Sequence, residues 1–319
     1  MKMGKKILVT GSMGQIGTEL VRYLRKIYGS ESVIASGRRI KEDSSIAEEG
    51  PFELLDVTDP GQIAAVINNK RVDTIYHLAS ILSAKGEKDP QMLWEINMNG
   101  LLNVFEAARP QGCSIFFPSS VAVFGPGSPK DKTPQDTITR PTTVYGIAKV
   151  TGEMLCDYYH LKYGLDIRSM RYPGIISNAA LPGGGTTDYA VEIFYDALRE
   201  GKHNCPLQEN TQLDFIYMPD ALEGAVKLME ADPSKLKHRN AFNVTAFSIT
   251  PKQLYLEVQK HIPEFTITYE VDPVKQAIAD SWPNSLDDSA ARTEWDWNPQ
   301  YGFEMMTTDM LNVLTAKLS

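Results

Sequence analysis

From Gly14 onward the apolar residues fall at Ile16, Leu20, Val21, Leu24, Ile27 and Tyr28. Steps of three and four lay them on one face of an amphipathic helix, which Gly29 ends. Before it, residues 7–10 form a short apolar run that stops at Gly11. That run suits a buried strand and is too short for the core of a secretion signal. The alternation continues down the first half of the chain. Strand-like runs at 32–36, 52–55, 74–78, 114–117 and 166–171 are separated by helical patterns at 60–68, 89–108 and 145–163. Pro60 stands in a first-turn position of its helix. This rhythm predicts an α/β fold with a doubly wound parallel sheet covered by helices on both faces. Past Tyr172 the texture changes. Helical patterns at 188–200, 219–230 and 251–261 alternate with loops and short strands such as 266–269. Residues 1–175 are read as the sheet domain, to which later segments return, and 176–319 as mainly a smaller mixed α/β lobe.

The link between the first strand and the first helix reads Gly11-Ser-Met-Gly14-Gln15-Ile16-Gly17. In this GxxGxxG spacing Gly11 permits a tight turn, Gly14 lets backbone approach a pyrophosphate beside Gln15 and Ile16, and Gly17 allows close helix–strand packing. The helix N-terminus then offers unpaired N–H groups and a positive dipole end. A Rossmann-type dinucleotide site follows. Its further contacts are expected at the ends of later strands: Asp56 and Val57, then Leu78, Ala79 and Ser80. Asp56 is placed to accept from an adenine amino group. The second strand ends Ala35-Ser36-Gly37-Arg38-Arg39, with no carboxylate to read the ribose 2′-hydroxyl. Arg38 either pairs with a 2′-phosphate or stacks on adenine. NAD is the expected cofactor, with NADP or dual use left open by Gly37-Arg38-Arg39.

Tyr145-Gly-Ile-Ala-Lys149 heads a helix, so that both side chains share one face. An ammonium beside a phenol favours phenolate, which makes Tyr145 a candidate general base. Ser120, at the end of the preceding strand, is the candidate partner for a substrate hydroxyl. The spacing alone is cheap: with 14 tyrosines in the chain a second match, Tyr158 to Lys162, occurs within the same helix. Context separates them, because Tyr145 and Ser120 both belong to the carboxyl edge of the sheet, where ligands bind.

Composition narrows the classes. Of 319 residues, 42% are hydrophobic and 23% charged, which excludes disorder and coiled coil. A net charge of −8 argues against nucleic acid and anionic membranes as partners held by bulk electrostatics. Cys113, Cys156 and Cys205 are few and scattered, the pattern of free thiols in a reducing, cytoplasmic setting. The five histidines do not cluster, so no metal site is expected. No stretch approaches the roughly 18 apolar residues of a membrane span.

Taken together, GxxGxxG, Ser120, Tyr145xxxLys149 and Asn97-Met-Asn-Gly resemble the extended short-chain dehydrogenase/reductase superfamily, which includes sugar-nucleotide epimerases and dehydratases. The second half adds Arg171-Tyr-Pro-Gly-Ile-Ile-Ser177, Pro182-Gly-Gly-Gly-Thr-Thr-Asp-Tyr-Ala-Val191, Ser281-Trp-Pro-Asn-Ser-Leu-Asp-Asp-Ser289 and Trp295-Asp-Trp297. With these, nearly the whole chain is similar to the short-chain type of L-threonine 3-dehydrogenase. The resemblance implies oxidation of the threonine β-hydroxyl to give 2-amino-3-oxobutanoate, with hydride passing to a nicotinamide cofactor. It implies Tyr145 as base, Lys149 tuning it and binding the nicotinamide ribose, and Ser120 orienting the oxygen. Tyr172, Gly174 and Ile175 would lie beside the nicotinamide.

A small zwitterionic substrate suits the N–H-rich turn at 183–185, Gly184 included, and the Thr186 hydroxyl as carboxylate ligands. Asp188 either orients the ammonium or caps the helix after it. Trp282 either shields the site from water or packs between lobes. The resemblance also implies a polar substrate contact at Ser83, with Ser80 as its competitor. Superfamily members often dimerise through the helix carrying YxxxK, and Met154, Leu155 and Tyr158 are candidates for that homodimer face. The rival readings are a sugar-nucleotide epimerase/dehydratase, which needs basic residues for a diphosphate, and a non-catalytic NAD(P)-sensing protein.

Overall fold

The computed structural model describes residues 4–40, 45–179 and 183–318. The first half runs β1 (Ile7–Thr10), α1 (Gln15–Tyr28), β2 (Val33–Gly37), β3 (Phe52–Leu54), α2 (Pro60–Lys70), β4 (Thr74–His77), α3 (Ser83–Lys88), α4 (Pro90–Trp94), α5 (Gly100–Ala108), β5 (Ser114–Ser120), α6 (Val144–Tyr163) and β6 (Ile167–Tyr172). The second half adds β7 (Gly174–Ile176), α7 (Tyr189–Arg199), β8 (Lys202–Cys205), β9 (Leu213–Tyr217), α8 (Met218–Glu230), β10 (Phe242–Asn243), β11 (Phe247–Ile249), α9 (Pro251–His261), β12 (Thr266–Tyr269), α10 (Pro273–Ser281), α11 (Ser289–Trp295) and α12 (Phe303–Leu318).

Seven strands form one parallel sheet in the order β10-β6-β5-β4-β1-β2-β3. This is the expected Rossmann-type architecture. The order runs outward in both directions from β1 and β4, so the crevice for a ligand opens beyond the carboxyl ends of those two strands. All four residues of β1 and of β4 are buried, because helices cover both faces. On one face Leu20, Val21 and Leu24 of α1 pack with Phe242 and Trp295. On the other, Ile63, Leu101, Phe105 and Cys156 form a second core. A third lies between α7, α9 and α12, around Phe194, Leu254 and Met310. It belongs to the smaller lobe, with its three-stranded sheet β11-β9-β7 and the pair β12-β8.

Most element ends lie within two residues of the sequence reading. The pattern at 89–108 resolves into α4 and α5 joined by a π-helical turn, Glu95–Asn99. That wider turn goes with an inward-facing Asn97 side chain, whose amide clasps the Ile81 backbone at both N–H (2.7 Å) and carbonyl (3.0 Å). The seventh strand, β10, is two residues long and too short for periodicity to reveal.

The glycine loop shows why Gly11 and Gly17 are needed. Gly11 has φ +68°, and a Cβ there would lie 2.6 Å from the Ala79 backbone nitrogen. A Cβ on Gly17 would stand 2.3 Å from the Gly11 carbonyl oxygen. Both obstacles are backbone, which cannot swing aside. Gly17→Ala is therefore expected to destabilise the cofactor-free protein by about 1–3 kcal/mol, read as a lower urea midpoint. An unchanged midpoint would contradict this packing.

Candidate active site

The head of α6 is fixed by two local contacts. The Thr143 hydroxyl accepts from the Gly146 N–H at 3.1 Å and so caps the helix. A Cβ on Gly146 would stand 2.2 Å from the Ala122 carbonyl oxygen, so the helix head presses against the turn that follows β5. Ser120 ends β5, and its Oγ accepts from the Ala122 N–H at 3.2 Å. This approach sets the Tyr145 side chain beside Ser120 at the cleft. One turn further along, the buried Lys149 Nζ donates to the Pro118 carbonyl at 2.6 Å and lies 5.5 Å from the centre of the Tyr145 ring.

The expected lowering of the Tyr145 pKa is not found. Burial pushes the phenol up to about 12, against a smaller lowering by Ser120. Burial also pushes Lys149 down to about 8, and the Glu153 carboxylate opposes that. Desolvation wins at Tyr145 because the ammonium is bonded to a carbonyl rather than to the phenol. The lysine effect does occur at the other YxxxK pair. Lys162 Nζ donates to the Tyr158 hydroxyl at 2.6 Å and lowers its pKa. Tyr158 is exposed on α6 and does not line the cleft.

Tyr145, Lys149 and Ser120 open onto one cleft that reaches the glycine loop at Gly11, Gly14, Gln15, Ile16 and Gly17. No side chain caps the N-terminus of α1 at Gly14, and the Gln15 side-chain amide nitrogen is buried without a partner. A free helix start and an orphaned donor fit a pyrophosphate. Tyr172 presents only its ring and backbone here, because its hydroxyl donates to the Ala221 carbonyl at 2.8 Å. Gly174 and Ile175 follow it along the wall.

A second recess, sharing Gly11, Gly14, Leu78 and Ser80 with the first, continues toward Arg38, Asp56, Val57 and Ala79. The structure thus gathers the sequence-expected cofactor residues along one groove. Asp56 Oδ1 already accepts from the Thr58 N–H (3.0 Å) and hydroxyl (2.8 Å). A Cβ on Gly37 would meet neighbours only at 3.7 Å, so glycine is not sterically required there.

At the opposite end the cleft is bordered by Ser83, Thr186, Asp188 and Trp282, with Ser80 nearer the glycine loop. Thr186 is buried and its hydroxyl has no partner. The expectation for Gly184 needs correction. It does not line the cleft, and its N–H (2.8 Å) and that of Gly185 (2.7 Å) both donate to the Asp188 carboxylate. The turn read as an open anion site is already filled by the chain's own anion. Asp188 likewise does not cap α7 with its side chain, since it reaches back to that turn. Burial raises its pKa, and the two N–H groups oppose the rise. Pro182 of the same motif lies outside the described residues.

Beneath the site lies a pair that sequence reasoning missed. Glu153, one turn after Lys149, takes both arms of the Arg171 guanidinium at 2.9 Å, and both residues are buried. Glu153 also accepts from Ser119 Oγ at 2.5 Å, and Arg171 donates to the Gln135 carbonyl and the Asn243 side chain. The available signal was a carboxylate four residues after Lys149 on the inward face of α6, with an arginine near the end of a buried strand.

The fold and this cleft define a nicotinamide-dinucleotide-binding α/β protein with a Ser–Tyr–Lys constellation. The chain belongs to the NAD dependent epimerase/dehydratase family, whose model matches residues 7–245. It is 49% identical, over 98% of each chain, to an uncharacterized epimerase/dehydratase of Staphylococcus haemolyticus. It is 53% identical to an L-threonine dehydrogenase from Clostridium difficile, with a TM-score of 0.97 over 98% of each chain. A monomeric L-threonine 3-dehydrogenase from a metagenome, in its apo form, is 43% identical, with a TM-score of 0.93 over 97% of this chain and 99% of that one.

Glu153→Gln leaves the Arg171 charge buried with one partner fewer, and is expected to cost about 3–5 kcal/mol in urea unfolding. Pairing it with Arg171→Met should recover a large part of that loss. A single variant as stable as the parent would contradict the structural weight given to the pair.

Proposed function

We propose that this protein oxidises L-threonine at its β-hydroxyl to 2-amino-3-oxobutanoate, using a nicotinamide cofactor. The observation that carries the reading is Ser120, Tyr145 and Lys149 brought together where the glycine-loop cleft meets a small polar end bordered by Ser83, Thr186 and Trp282. The Clostridium difficile and metagenome neighbours, both threonine dehydrogenases, support it. Residues 1–175 would hold the cofactor, and 176–319 most of the substrate contacts.

In this reading the substrate hydroxyl sits between Ser120 and Tyr145. Ser120 orients the oxygen and Tyr145 Oη takes its proton. A bound oxidised nicotinamide supplies the acceptor for the hydride leaving Cβ. Lys149 holds positive charge beside the phenol as it ionises, and binds the nicotinamide ribose. The free Thr186 hydroxyl and Ser83 take the substrate carboxylate, and Trp282 keeps water out. Asp188 shapes the turn and offers the ammonium a negative neighbour. A sugar-nucleotide epimerase would need cations for a diphosphate, and Lys149 is the only Lys or Arg among the described residues bordering this cleft. An intact Ser–Tyr–Lys set weighs against a purely sensing role.

The cofactor proposed is NAD, with NADP accepted, because no carboxylate at Gly37 repels a 2′-phosphate and Arg38 borders the recess. A homodimer through α6 belongs to the same proposal. Met154 and Tyr158 support it, exposed four residues apart on one face. Among the described residues no helix is long and apolar enough to cross a membrane, and the three cysteines are free and buried, which supports a cytoplasmic setting.

Reduced-nicotinamide absorbance, followed with L-threonine across pH, tests the reading. Tyr145 acts when deprotonated and burial raises its pKa, so kcat/KM is expected to climb with pH up to about 8, where Lys149 begins to lose the charge that favours the phenolate. Tyr145→Phe should lower it by about 100-fold or more at every pH. Activity that falls with rising pH over this range, or survives in Tyr145→Phe, would contradict the assignment. Gly37→Asp is sterically free and should lower NADP use about tenfold while sparing NAD. An equal loss with both cofactors would contradict the role given to this position.

A further inference from the structure

We propose that Lys130 is a positioning residue that sets the width of the substrate cleft, by fixing Trp282 in its wall. This rests on the cleft assignment above.

Lys130 lies in the loop that leads from Ser120 to the cap of α6, more than 150 residues before Trp282 by sequence separation. Its ammonium donates to the carbonyls of Asp280 (2.5 Å) and Trp282 (2.8 Å), at the C-terminal end of α10. Those are groups that a helix end leaves without partners, and a cation there also meets the negative end of the helix dipole. The backbones then zip together. The Lys130 carbonyl accepts from the N–H groups of Asn284 (2.7 Å) and Ser285 (3.2 Å), the Thr133 N–H donates to the Ser285 carbonyl (2.9 Å), and Asp287 returns a bond to Thr133 (3.0 Å). On the smaller lobe's side, the Leu286 N–H donates to the buried Asp214 carboxylate at 2.7 Å.

Trp282 is the residue this strap presents to the cleft, across from Tyr145 and Ser120. It also borders a second, polar recess with Gln208, Thr211 and Asn284. Trp282 is buried as part of the smaller lobe's core, yet two recesses flank it, so the backbone that Lys130 holds helps set where it stands in the wall. Losing the ammonium frees two carbonyls and lets that wall swing outward. The reacting groups Tyr145, Lys149 and Ser120 sit on α6 and β5 and are held by Thr143 and the Glu153–Arg171 pair, which meets the far end of the strap through Asn243 and makes no bond to the Lys130 ammonium. The effect is therefore on substrate fit and not on the chemical step.

The test compares Lys130→Met, which keeps the length and loses the donors, with Lys130→Arg, which keeps donors. Kinetics are read with L-threonine and with a 3-hydroxy amino acid one methylene longer, alongside the KM for NAD. Acrylamide quenching of tryptophan fluorescence, with Trp282→Phe as the subtraction, reads the indole directly. Lys130→Met is expected to raise the threonine KM about tenfold at nearly constant kcat and NAD KM, favour the longer substrate, and expose Trp282 to quencher, with Lys130→Arg restoring each. Unchanged threonine KM with unchanged quenching would overturn the proposal, as would an equal rise in the NAD KM, which marks general loosening. Should wild type turn over no threonine, the function above fails by itself, and quenching alone decides: unchanged Trp282 accessibility in Lys130→Met overturns the strap.

Discussion

A buried bidentate ion pair, Glu153 with Arg171, is the constraint on which the cleft depends. Glu153 projects from α6 one turn below Lys149, and Arg171 is the residue before Tyr172 at the end of β6. Through Ser119 the same carboxylate grips the end of β5 beside Ser120, and through Gln135 and Asn243 the guanidinium grips the loop before α6 and the short seventh strand. Five segments of the chain thus meet at one charge pair. Taking two charges out of water is costly, so such a pair persists only where hydrogen bonds satisfy it fully. Here they do, and Tyr145, Ser120 and Tyr172 inherit a fixed spacing.

The same burial governs the chemistry. A dry cleft strengthens every electrostatic interaction inside it, yet it makes both the phenolate and the ammonium harder to form. Tyr145 rises to about 12 and Lys149 falls to about 8. Burial therefore favours a neutral phenol and brings the lysine closer to losing its proton. The exposed pair Tyr158 and Lys162 shows the reverse, a phenol eased toward ionisation where nothing reacts. A low tyrosine pKa does not mark this site; geometry at the carboxyl edge of the sheet does.

Much of this was legible in the chain. The glycine loop, the strand–helix rhythm and the Ser120–Tyr145–Lys149 set were readable because each rests on local spacing or on the edge of a parallel sheet. The ends of β3 and β4 could be added by the same topology. What was hidden depends on contacts between distant segments. The 183–185 turn looked open to an anion because sequence cannot show that Asp188, three and four residues on, folds back to fill it. Glu153 and Lys130 looked like ordinary helix and loop charges, and only packing shows one buried against Arg171 and the other seated on the end of α10. The π turn at Asn97 is invisible to a 3.6-residue period.

The most direct test of the account is to follow the reacting hydrogen. L-Threonine carrying deuterium at Cβ, incubated with the protein and oxidised NAD, should give reduced cofactor bearing the label, with a slower rate than the unlabelled substrate if hydride transfer limits turnover. Reduced cofactor without deuterium, or no reduction by a folded protein, would contradict the central claim.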